Sequence, residues 1–173
     1  IWVNGEENHL YASGFYNPDG ALLITTDSAF AFQDFRYIEA ARREIPPELF
    51  EVIMPEQPRS VWLPMLLSAC GIQTVGYEDG TLTCRALAAL QRDCPGIRFT
   101  AIGEMFQRLR SVKDAYEIDC IERAQQVAET AFAQLLPRIT YRATEMELAA
   151  ELEYLMKKNG AQGISFATIA VSG

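Results

Sequence analysis

A chain of 173 residues has room for one domain, or for one domain and part of another. With 49% hydrophobic and 22% charged residues it has a globular composition, which excludes disorder or low complexity as its main character. A formal net charge of -8 offers no basic footprint for nucleic acid or an anionic membrane surface, and the longest apolar stretches, such as 61–70, fall short of the roughly 20 residues a spanning helix needs.

Ile1 to Val3 and Leu10 to Ala12 read as strand pieces. Ala21 to Thr26 and Ala29 to Gln33 predict a hairpin, because two apolar runs flank the turn pair Asp27-Ser28. Phe35 to Ile45 reads as a helix stopped by Pro46-Pro47, whose rings cannot continue it. A strand at Phe50 to Met54, a helix from Arg59 to Cys70, a strand at Ile72 to Gly76, a helix from Thr83 to Arg92 and a strand at Ile97 to Ala101 follow. Such alternation predicts an α/β layer structure with crossover units on a partly parallel sheet. Gly71, Gly76 and Gly80 stand singly, so no glycine-rich phosphate loop is expected.

A boundary falls near residues 109–113. Beyond it Ile118, Ile121, Ala128, Ala131, Phe132, Leu135 and Leu136 recur at helical steps and predict one long amphipathic helix, 114–136. Asp114 with Glu117 suits its N-cap. Thr144-x-x-Glu147 is a capping box for a second helix carrying Leu148, Ala149, Leu152, Leu155 and Met156, ended at Asn159-Gly160. Ile164 to Val171 reads as a strand. Burial of each large apolar side chain in this part stabilises by about 1.5 to 3 kcal/mol, so these helices are expected to order only by packing on another surface.

Candidate chemistry is sparse. His9 is the lone histidine, with no carboxylate or cysteine at helical ligand spacing, and reads as a surface or hydrogen-bonded residue rather than a metal ligand. Glu6-Glu7 and Glu78-Asp79 read as solvated faces or turns. Asp34 and Arg36 either fix a strand-to-helix junction through charge-assisted bonds or form an interface in which Arg36 reaches another subunit. Trp2 and Trp62 read as packing residues. Cys70, Cys84, Cys94 and Cys120 form no Cys-x-x-Cys pair and read as small buried hydrophobes in a reduced cytoplasm. The chain opens at Ile1 rather than Met, which predicts a missing start or a removed segment.

Three segments in order, 8–15 (Asn-His-Leu-Tyr-Ala-Ser-Gly-Phe), 20–25 (Gly-Ala-Leu-Leu-Ile-Thr) and 34–41 (Asp-Phe-Arg-Tyr-Ile-Glu-Ala-Ala), resemble the amino-terminal domain of creatinase and prolidase relatives. Lys113-Asp114-Ala115-Tyr116-Glu117-Ile118, then Thr144-Glu145-Met146-Glu147-Leu148, then 160–169 (Gly-Ala-Gln-Gly-Ile-Ser-Phe-Ala-Thr-Ile) resemble the opening of the "pita-bread" metallopeptidase domain of Xaa-Pro aminopeptidases, prolidases and creatinases. The chain differs from these relatives in having Tyr141-Arg142 where Pro-Gly is usual, and Gln33 where threonine is common.

The resemblance implies an α/β creatinase/prolidase-like amino-terminal domain over 1–112, with a mixed sheet flanked by helices. Residues 113–173 would be the first two helices and first strand of a pita-bread α+β domain. It implies a parent hydrolase that cleaves the peptide bond before proline with two divalent ions of the Mn or Co type, and a homodimer or higher oligomer in the cytoplasm. The family's ligands, two aspartates, a histidine and two glutamates, are expected beyond Gly173, so this chain is expected to hold no metal and no catalytic residue. Phe166 and Ile169 either line an apolar substrate pocket or pack in the core. A creatinase-like hydrolase without metal and a non-catalytic peptidase-like binding module share these features. No nucleic acid or membrane partner is expected.

Overall fold

A computed structural model describes residues 1–172. The chain divides into two compact units, Ile1–Ser111 and the residues from Val112 onward.

The first unit is built on a six-stranded mixed sheet. Its strands are β1 (Trp2–Val3), β2 (Ala21–Ile24), β3 (Ala29–Phe32), β4 (Glu51–Ile53), β5 (Thr74–Tyr77) and β6 (Arg98–Ala101), in spatial order β4-β3-β2-β1-β5-β6. β2 pairs antiparallel with β1 and β3, whereas β3-β4, β1-β5 and β5-β6 are parallel. The hairpin turn is held by Thr25, whose hydroxyl accepts from the Ser28 N–H at 2.8 Å.

Strand alternation sends successive side chains to opposite faces. Trp2, Leu23, Phe30 and Phe32 lie on one face, in a core with Leu63 and Leu67 of α3 (Arg59–Ala69) and Leu90 of α4 (Cys84–Asp93). Val3, Leu22 and Ala31 lie on the other, with Ala41 of α2 (Ile38–Glu44) and Phe106 of α5 (Met105–Ser111). Trp2 and Trp62 are packing residues as expected: Phe32 sits 5.9 Å from the ring of Trp2 and 4.4 Å from that of Trp62. Of the four cysteines only Cys94 is buried; Cys70 and Cys84, at the end of α3 and the start of α4, are exposed rather than buried.

Leu10 to Ala12 are not a strand. They belong to α1 (Glu6–Ser13), closed by Gly14 in the left-handed region at φ 72°. The helix start is set by a residue distant in sequence, Glu78, so no local pattern announces it.

In the second unit α6 (Ala115–Leu135) and α7 (Glu145–Lys158) both begin with complete capping boxes, Asp114/Glu117 and Thr144/Glu147. They pack through Ala131, Leu135 and Leu155, with Leu148, Leu152 and Met156 alongside. Tyr141 and Arg142 form their turn without positive φ, closed by Ala143 N–H donating to Thr140 O at 3.0 Å.

Residues 164–171 carry no strand. A strand is defined by ladder bonds to a neighbour, and no such neighbour is paired with this segment among the described residues. Side chains of α7 hold it instead: Thr168 donates to Glu153 at 2.7 Å, and the Ser172 N–H and hydroxyl both donate to Glu145 at 2.7 Å. Those bonds hold the Glu145 carboxyl below its ordinary range.

Candidate functional site

Polar groups of the first unit gather around α1. Glu78, at the end of β5, is 5% exposed rather than a solvated turn residue. Its Oε2 accepts from the backbone N–H groups of Asn4 and Gly5 at 2.6 and 2.9 Å, and its Oε1 accepts from the Asn8 amide. Gly5 is the N-cap of α1 and has no side chain to bond the first turn. The distant carboxylate therefore does the capping and faces the positive end of the helix dipole. Asn8 is fixed in turn by Arg110, whose guanidinium donates to Asn8 Oδ1 at 3.0 Å.

One helical turn on, His9 is 1% exposed. Its Nδ1 lies 2.9 Å from the Phe15 carbonyl oxygen, which can only accept, so Nδ1 carries the proton and Nε2 presents a lone pair. Burial pushes the imidazole below the ordinary histidine range, opposed by the Phe15 bond and the Glu78 charge. His9 is thus the hydrogen-bonded residue its sequence context suggests.

Beside it, the Asn17 amide donates to Gln33 Oε1, and Asn17 Oδ1 accepts from the Asp19 N–H at 2.9 Å. Asn17 and Gln33 are both buried. Three of these groups converge over Gly20: a methyl there would stand 2.9 Å from Asn17 Nδ2, 3.0 Å from His9 Nε2 and 3.1 Å from Gln33 Nε2. Gly20→Ala should therefore cost about 1–3 kcal/mol of stability, read as a lowered urea midpoint at unchanged slope. A midpoint shift worth less than about 0.5 kcal/mol would show that the cluster is loosely packed.

On the surface above this row, Arg36 donates to Asp34 and to Asp19. The Arg36 bonds hold the Asp34 carboxyl below its usual range, and both carboxylates raise the Arg36 guanidinium further. The sequence-predicted pair therefore meets, and Asp19 joins it from the loop before β2. Phe35, between them in sequence, is 80% exposed.

The second unit has a groove of about 580 Å³ between α6, α7 and the segment after α7. Ile169 lines it together with Phe132, Leu148, Leu152 and Val171, while Phe166 does not. Phe166 and Ile169 are 71% and 79% exposed, so neither packs in the core of this unit.

Residues 1–112 match the profile of the Creatinase/Prolidase N-terminal domain. The chain belongs to the creatinase/prolidase family. Residues 119–173 match a second profile, Metallopeptidase family M24. An Xaa-Pro dipeptidase of Pyrococcus horikoshii is 32% identical over 89% of this chain and 42% of its own length. Among solved structures, an Xaa-Pro dipeptidase from Bacillus anthracis superposes with a TM-score of 0.89 at 29% identity, over 96% of this chain and 46% of that one. An X-Pro aminopeptidase from Thermotoga maritima gives 0.87 at 28%, over 95% of this chain and 46% of that one. The chain spans about half the length of the relatives it matches.

The metallopeptidase profile matched by residues 119–173 is that of a family of divalent-metal enzymes. The residues here do not fit that role: among those described, no group of three His, Cys, Asp or Glu side chains is placed to hold a metal. His9 in particular faces amides and a carbonyl rather than carboxylates. Sequence reasoning missed Glu78, Asn17 and Asp19, whose partners are brought together by the sheet rather than by spacing along the chain. No helix among the described residues is long and apolar enough to cross a membrane.

Proposed function

We propose that this chain is part of a metal-dependent Xaa-Pro dipeptidase or aminopeptidase, which hydrolyses the peptide bond before proline. The observation that carries the reading is the likeness to the Xaa-Pro dipeptidase from Bacillus anthracis, which extends over 96% of the chain. Two divalent ions of the Mn or Co type belong to the parent enzyme, on ligands other than the residues present here. Residues 1–112 act as the amino-terminal domain, and 113–173 begin the peptidase domain.

Ile169 borders the apolar groove and is the better placed of the two pocket candidates to meet substrate; Phe166 stands outside the groove. Asp34 and Arg36 belong to an interface with a second copy of the chain, a reading supported by the fixed guanidinium and the neighbouring exposed Phe35. A cytoplasmic location agrees with four unpaired cysteines.

Chelation tests the metal requirement. The full-length protein treated with EDTA should lose hydrolysis of an Xaa-Pro dipeptide by at least about tenfold, and Mn or Co ions should restore it. Full activity after complete removal of metal would overturn the proposal.

A further inference from the structure

The buried row of His9, Gln33 and Asn17 is polarised from both ends and is independent of the peptidase reading. At one end the Phe15 carbonyl requires a proton on His9 Nδ1, leaving Nε2 as an acceptor. At the other, the Asp19 N–H requires an oxygen at Asn17 Oδ1, so Nδ2 is a donor and faces Gln33 Oε1. Gln33 Nε2, a donor, is thereby turned towards the same point over Gly20 as His9 Nε2. Neither of these two buried nitrogens has a hydrogen-bond partner among the described residues. They are complementary as long as His9 is neutral.

We propose that this row is a proton-driven relay, in which a proton on His9 Nε2 turns over the side-chain amides of Gln33 and then Asn17 and so releases the backbone N–H of Asp19. Protonation sets an N–H at His9 Nε2 against the amide nitrogens of both Gln33 and Asn17, three donors around one buried point. Bulk solvent does not reach the conflict, since His9, Asn17 and Gln33 are 1%, 1% and 3% exposed. Turning the Gln33 amide offers Oε1 to His9, but places its NH₂ against that of Asn17. Turning Asn17 as well restores that bond and withdraws Oδ1 from Asp19. Amide oxygen and NH₂ have nearly the same shape, so both steps proceed without repacking.

The end of the row is the surface cluster. Asp19 supplies one carboxylate to Arg36, and Gln33 directly precedes Asp34, which supplies the other. The charged group acting on His9 is Glu78, which favours the proton; the Ser13 hydroxyl and Phe15 carbonyl lie on the Nδ1 side. Burial outweighs Glu78, so the relay works on the acid side of the ordinary histidine range.

An NMR titration of the isotope-labelled 173-residue chain tests this. The side-chain amides of Gln33 and Asn17 and the backbone amide of Asp19 should shift with one midpoint, shared with the His9 ring and on the acid side of the ordinary histidine range. Exchange of the Asp19 amide, corrected for its intrinsic pH dependence, should quicken by about tenfold below the midpoint, the loss of one hydrogen bond. In Gln33→Met, which cannot turn over, His9 should still titrate while the Asp19 amide no longer follows. If that variant does not fold, the wild-type midpoints decide. The relay is overturned if His9 titrates while the Gln33 and Asn17 amides stay still, or if the Asp19 amide does not move with the His9 ring.

Discussion

Glu78→Ala should lower the stability of the first unit by about 3–5 kcal/mol, because it strands two backbone N–H groups and one amide in a buried site. Domains are typically stable by about 5–15 kcal/mol, so the loss is a large share of the total. The N-terminus of α1 loses its only side-chain acceptor among the bonds described, since Gly5 offers none. Glu78→Gln separates charge from acceptor count. One amide oxygen can serve either the Asn4 and Gly5 N–H groups or the Asn8 amide, and the new NH₂ then opposes a donor at the other place. That variant should cost about 1–2 kcal/mol. Urea titration followed by intrinsic tryptophan fluorescence reads the effect on this unit, since Trp2 lies in its core and the half-buried Trp62 packs against it. A change below about 0.5 kcal/mol in Glu78→Ala would mean that the carboxylate is solvated and that α1 needs no cap from β5.

Leu155→Ala should unfold the second unit while leaving the sheet intact. Leu155 is 2% exposed and shares its core with Ala131 and Leu135. Truncating such a leucine costs about 3 kcal/mol through lost burial and the cavity left behind. A core this small supplies no more than about 3–5 kcal/mol, so little stability remains. Hydrogen exchange should then show protection of α6 and α7 falling by roughly a hundredfold, with the amides of β1 to β3 unchanged. Tyr154→Ala is the matched control: Tyr154 is 56% exposed on the same helix, and its loss should stay within about 0.5 kcal/mol. Equal loss of protection in both units after Leu155→Ala would show that they unfold as one.

What was legible in the sequence was whatever a few adjacent residues decide. The capping boxes at Asp114 and Thr144, the Thr83 cap of α4 and the prolines after α2 act within three or four residues, and the helices begin and end close to them. The apolar runs around Leu22-Leu23 and Phe30-Ala31-Phe32 likewise mark the hairpin strands, whose side chains the sheet divides between two buried faces. α1 was not legible, because its cap lies more than 70 residues away at Glu78. α5, preceded by Gly103 in the left-handed region, carries no cap signal and was not foreseen.

The site divides in the same way. Asp34 and Arg36, two residues apart, announced their own bond, whereas Asp19 reaches Arg36 from the loop before β2. His9, Asn17 and Gln33 are ordinary polar residues in the sequence. Only the closing of β2 against β3 beside α1 brings them together. Gln33 reaches Asn17 through its side-chain amide.

The most direct measurement on the central claim is a parallel assay of the full-length, Mn-loaded protein on an Xaa-Pro dipeptide, the matching Xaa-Ala dipeptide and creatine. The proposed Xaa-Pro hydrolysis predicts release of free proline from the first, at least about tenfold faster than cleavage of the second, and no turnover of creatine. Creatine hydrolysis that persists without metal, or no cleavage of any of the three by folded protein, would contradict it.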